Sequence, residues 1–136
     1  MPNAVDALDS PKKILLVGDT GSGKTTQFLT LAGKKYLHIF DPNALDTLKG
    51  HDVDYDTYFP SPIPAAAQSL AKGKGDARGA TSSVYQEFER TFNERLQSGF
   101  FDHYDWIGFD SVTTLLELIM DRILTINGRF GQWPHE

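Results

Sequence analysis

The chain has 136 residues, with 13 Lys and Arg against 18 Asp and Glu for a net charge of −5, and it contains no cysteine. That length supports one domain with a real core, and the absence of thiols excludes a disulfide framework and any thiolate metal site. The acidic balance argues against a surface that grips nucleic acid everywhere, while leaving room for a local basic site.

Met1 to Ser10 is polar and acidic with no apolar stretch, so it does not read as a signal peptide; residues 1–11 form an expected flexible leader ahead of a domain over 12–136. Lys13-Ile14-Leu15-Leu16-Val17 is a short apolar run of the buried parallel-strand type. It leads into Gly18-Asp19-Thr20-Gly21-Ser22-Gly23-Lys24-Thr25, which reads G-x-x-x-x-G-K-T and is followed by Thr26. Glycines at these positions let the backbone turn tightly and focus successive N–H groups on one point, as a loop cradling phosphate oxygens must. Lys24 is placed to reach the β- and γ-phosphates of a nucleotide, and the Thr25 hydroxyl suits Mg²⁺. The spacing of Phe28, Leu29 and Leu31 predicts a helix over 24–32, stopped by Gly33, so the motif stands between a strand and a helix.

Tyr36-Leu37-His38-Ile39-Phe40 predicts a second buried strand, ended by Asp41-Pro42-Asn43. Residues 60–82 carry Pro60, Pro62, Pro64, Gly73, Gly75 and Gly79 and read as a mobile surface loop, with Lys72, Lys74 and Arg78 as its cations. Those cations either keep the loop solvated or meet phosphates. Ser83 and Gln86 make a capping-box signal, after which Val84, Phe88, Phe92 and Leu96 mark an amphipathic helix up to Gly99. Trp106-Ile107-Gly108-Phe109 predicts a third strand running into Asp110-Ser111, and the apolar face from Val112 to Ile126 predicts a last helix ending at Asn127-Gly128. Strands alternating with helices imply an α/β fold, a three-layer α/β/α arrangement on a parallel sheet. The four histidines are scattered, so any metal should arrive with the nucleotide. Glu117 and Asp121 break the last apolar run too soon for a bilayer span, so no membrane partner and a cytoplasmic location are expected.

A strand of large apolar residues ending in an aspartate is the Walker B pattern, in which the carboxylate holds Mg²⁺ through its water shell. Asp110 fits it, with capping of the following helix as the alternative role. A GTPase would want glycine three residues later, where Thr113 stands. Asp41 is either a turn residue before Pro42 or a group that orients water.

Asp110-Ser111-Val112 with Leu115 is similar to the D-S-V-x-x-L of RecA-like recombinase ATPases, and Asp41-Pro42-Asn43-Ala44-Leu45-Asp46 resembles their strand-end D-A-E-x-A-L-D segment. Over roughly residues 12–127 the chain resembles the bacteriophage-type RecA-like ATPases of DNA recombination and single-strand annealing. The resemblance implies ATP and Mg²⁺ as ligands, Gly18 to Thr26 as the nucleotide loop, Thr25 and Asp110 on the metal, and Lys24, Asp41 and Asp110 as the catalytic set. It further implies single-stranded DNA and a recombination or single-strand-binding protein as partners, a homo-oligomer, and the host cytoplasm. The family's water-polarising glutamate is missing; Asp41 or Asn43 stands in its place, so slow turnover is expected. Two other readings stay open, a small-molecule or nucleotide kinase with 60–82 as its lid, and a nucleotide-binding module that hydrolyses little.

In such a core the strand after Walker B inserts between the P-loop strand and the Walker B strand. No apolar strand follows Gly128 here, so the RecA-like core is expected to be incomplete at its C-terminus, an N-terminal portion of a longer protein. The strands at 14–17 and 106–109 should then not be hydrogen-bonded neighbours, and Ile14, Leu16 and Ile107 should be unusually exposed.

Overall fold

The computed structural model describes residues 11–59 and 76–128, with side chains described from Ser83 onward in the second stretch. Residues 1–10, residues 60–75 with Lys72 and Lys74, the side chain of Arg78, and Arg129 onward lie outside the described residues. Among the described residues no helix is long and apolar enough to cross a membrane.

The central strand is β1 (Lys35–Ile39), whose Tyr36, Leu37, His38 and Ile39 are all buried. A strand covered on both faces cannot alternate apolar with polar, which is why this stretch reads as one apolar block. Two parallel strands flank it, β2 (Asp54–Thr57) and β3 (Trp106–Asp110), in the order β2-β1-β3. Leu37 and Ile39 face α1 (Lys24–Leu29) and α2 (Ala44–Leu48), forming a cluster with Leu29, Ala44 and Leu48 against which Phe28 packs. On the opposite face, Phe40 and Tyr58 pack with Phe88 of α3 (Asp76–Ser98) and Leu118 of α4 (Val112–Ile126). Helices on both faces of a parallel sheet make the expected α/β/α layers.

Four local features depart from the sequence expectation. First, α3 spans Asp76–Ser98, so residues 76–82 are helical and do not belong to a loop. Second, β2 is an edge strand that the sequence did not announce, because two of its four residues are aspartates. Both acids are held from neighbouring elements: Asp56 accepts from the Tyr36 hydroxyl and pairs with Arg95, and Asp54 accepts from Tyr104 Oη at 2.7 Å. Third, α2 is a five-residue helix following the Asp-Pro-Asn turn.

Fourth, the apolar run 13–17 carries no ladder. A strand needs a partner to satisfy its backbone groups, and among the described residues β3 pairs with β1 alone. Residues 14–17 and 106–109 are thus not hydrogen-bonded neighbours, in line with the expectation, and Ile14 at 61%, Leu16 at 39% and Ile107 at 39% relative exposure stand open to solvent.

At their amino ends β1 and β3 are clasped. Asp105 Oδ2 accepts from Lys34 N at 2.7 Å, the amides of Asp105 and Trp106 donate to Lys34 O at 2.8 and 3.2 Å, and Trp106 Nε1 donates to Ala32 O at 3.0 Å. In the middle of the sheet His38 is fully buried among Tyr36, Tyr58, Phe88, Phe92, Phe101 and Phe109. Its Nδ1 lies 3.0 Å from Gly108 O. A carbonyl only accepts, so the proton sits on Nδ1, and Nε2 faces the aromatic cage with no hydrogen-bond partner among the described residues.

Candidate functional site

The loop from Gly18 to Gly23 turns on itself, with Ser22 N donating to Asp19 O at 3.1 Å and Gly21 and Gly23 at φ +80° and +86°. Those two angles lie in the left-handed region, where a side chain would be strained. Gln27 N then donates to Gly23 O at 2.9 Å and starts α1. Lys24 folds back over the loop, its Nζ donating to the carbonyls of Gly18 and Asp19 at 2.7 Å each and approaching Ser22 Oγ at 3.4 Å.

The carboxyl ends of the strands meet this loop. Thr25 Oγ1 donates to Asp110 Oδ2 at 2.5 Å, tying the first turn of α1 to the last residue of β3. Phe40 N donates to Asp110 O at 2.7 Å, so Asp41 follows at the same end of the neighbouring strand. The Asp110–Ser111 peptide is cis. Ser111, not Asp110, caps α4: its Oγ accepts from Thr114 N at 3.3 Å and lies 2.9 Å from Thr114 Oγ1. The Asp110 carboxylate is therefore not spent as a helix cap.

Asp41 plays the turn role in part, its carbonyl accepting from Ala44 N at 3.1 Å. Its carboxylate Oδ1 accepts from both the backbone N and the Nδ2 of Asn43, each at 2.9 Å.

These groups line one open cleft of about 580 Å³ at the carboxyl edge of the sheet, the usual place for ligands in open α/β folds. Gly18, Thr20, Gly21, Gly23, Lys24, Thr25 and Thr26 line it together with Asp41 and Asp110, the last in direct contact with Thr25. Of the nine loop positions singled out from the sequence, Asp19 and Ser22 do not line the cleft; they serve Lys24 instead, through a carbonyl and a hydroxyl. The cleft also takes in Thr47 of α2 and Ser111, Thr113 and Thr114 around the start of α4. Thr47 escaped notice because α2 did, whereas the run Ser111-Val112-Thr113-Thr114 straight after a strand-end aspartate was a signal open to reading.

A hydroxyl and a carboxylate oxygen converging at the loop make a hard donor pair of the kind that suits Mg²⁺. Among the described residues no three His, Cys, Asp or Glu side chains gather into a self-sufficient metal site.

A glycine-rich turn that feeds a helix beside the carboxyl ends of a parallel sheet is the arrangement of a P-loop domain. A family model described as AAA domain matches residues 10–132, and the chain belongs to that family. No curated protein and no solved structure matches it.

Proposed function

We propose that the chain binds ATP and hydrolyses it with Mg²⁺, and that hydrolysis is coupled to single-stranded DNA in recombination or annealing, as in phage-encoded RecA-like ATPases. The observation that carries the reading is the contact of Thr25 Oγ1 with Asp110 Oδ2, since it joins the two motifs an Mg–nucleotide site needs. Lys24 would leave the Gly18 and Asp19 carbonyls for the phosphates, and the loop amides would cradle the phosphate oxygens. Thr25 and Asp110 would hold the metal, which supplies neutralisation of charge on the β- and γ-phosphates. Asp41, which lines the same cleft, would orient the attacking water and take its proton. The similarity of Asp110-Ser111-Val112 and Asp41-Pro42-Asn43 to recombinase segments supports the coupling to DNA.

The test is ATP turnover with and without single-stranded DNA. Mg²⁺-dependent phosphate release that rises with DNA is expected. Turnover indifferent to DNA removes the coupling, transfer of phosphate to an added small acceptor identifies a kinase, and binding without turnover leaves a nucleotide-binding module.

A further inference from the structure

We propose that Asn43 is a positioning residue for Asp41, a role that rests on the reading of Asp41 as the group orienting the attacking water. Asn43 stands at the N-cap of α2, where an asparagine side chain ordinarily accepts from an amide of the first turn. Here it makes no cap hydrogen bond, and its own backbone is already helical at φ −65° and ψ −21°. The amide is turned the other way: Nδ2 donates to Asp41 Oδ1 at 2.9 Å, beside the 2.9 Å hydrogen bond from its backbone N. Among the described residues no other hydrogen bond reaches that carboxylate. One oxygen is therefore gripped twice by a single residue, and Oδ2 is left as the acceptor for anything in the cleft that Asp41 and Asn43 both line.

A half-buried aspartate still rotates about two bonds, and an unheld one would present either oxygen over a range of directions. The backbone donor fixes the turn but survives almost any substitution at position 43. The side-chain donor is what the residue identity adds, and it selects one orientation of the carboxylate. Misplacement of a reacting group by about 1 Å can cost on the order of a hundredfold in rate, so the loss of one of two tethers should fall on kcat and leave nucleotide affinity alone. An uncharged donor also suits the place better than an acid would, since a second carboxylate so near Asp41 would repel it.

The experiment is a double-mutant cycle on the full chain, reading kcat and KM for Mg–ATP in the parent, Asn43→Leu, Asp41→Asn and the double variant. Leucine matches asparagine in size but cannot donate. Asn43→Leu should lower kcat roughly tenfold at unchanged KM, and should add nothing in the Asp41→Asn background. Asn43→Ser, which keeps a short donor, should hold kcat within roughly threefold of the parent; it decides the matter if the leucine variant does not fold. Parental kcat in Asn43→Leu, a loss confined to KM, or losses that multiply in the double variant would each overturn the positioning role with Asp41's role intact. Parental turnover in Asp41→Asn would overturn the reading of Asp41 itself, and the proposal with it.

Discussion

The imidazole of His38 lies flat against the ring of Phe109, with centroids 4.6 Å apart and planes within 4° of parallel. It binds β1 to β3 one residue short of Asp110, in a cage that offers Nε2 no partner among the described residues. Burial pushes the His38 pKa down from 6.5 to about 4. The unfolded chain therefore takes up this proton first, so the stability His38 contributes as a neutral ring is complete above pH 6.5 and is lost as pH falls toward 4. A shift of that size is worth about 3 kcal/mol. Urea unfolding of the parent should weaken over this window more steeply than that of His38→Phe, which cannot titrate. Identical slopes would mean that the cage opens readily enough to hydrate the imidazolium.

Among the described residues Lys24 makes its hydrogen bonds within its own loop and none to the core, so its removal should spare the fold. Lys24→Ala is expected to weaken ATP binding by more than tenfold, about 1.4 kcal/mol. Titration with a fluorescent ATP analogue, alongside circular dichroism, checks both halves of that statement. Unchanged affinity would sink the assignment of the loop as a nucleotide site.

Asp110→Asn keeps the shape of the side chain and can still meet Thr25 Oγ1, but it removes the charge that suits a divalent cation. Binding of nucleotide without Mg²⁺ should be little changed, while Mg²⁺-dependent turnover should disappear. Equal losses with and without Mg²⁺ would instead indicate a disturbed β3.

Gly108 lies opposite Leu37 in the ladder, and a Cβ there would sit 2.7 Å from Leu37 Cδ1 and 2.8 Å from Phe28 Cε2. Leu37 is 2% exposed and has nowhere to go. Gly108→Ala should therefore destabilise the domain by about 1–3 kcal/mol through overpacking, seen as a lower denaturant midpoint at unchanged slope. An unchanged midpoint would show that the tip of Phe28 swings aside.

Where the hydrophobic pattern is long or continuous, the sequence disclosed the element: β1 through Tyr36 to Ile39, β3 through Trp106 to Phe109, and α4 with the bounds that Val112 and Ile126 suggested. It was silent where an element depends on partners from elsewhere. Asp54-Tyr55-Asp56-Thr57 is a strand because Tyr104, Tyr36 and Arg95 receive its acids and β1 receives its backbone, and none of that is local. The run Ile14 to Val17 errs in the opposite direction: its composition is that of a strand, yet no described neighbour supplies the ladder. At the candidate site the spacing of Gly18, Lys24 and Thr25 and the position of Asp110 were legible. The grip of Asn43 on Asp41 was not, because a cap residue that declines to cap is visible only once side-chain directions are known.

The clasp at Lys34, Asp105 and Trp106 bears on the candidate site at the other end of the sheet. From Lys35 opposite Trp106 to Ile39 opposite Asp110, the two strands count the same number of residues. At about 3.3 Å per residue they behave as two rulers pinned at a common zero mark. The height of Asp110 relative to Asp41 is therefore set where the strands begin, and a slip of one division at Asp105 would carry the Asp110 carboxylate out of reach of Thr25. Substitutions at Asp105, remote from the cleft, should for this reason read out as errors of calibration at the nucleotide site.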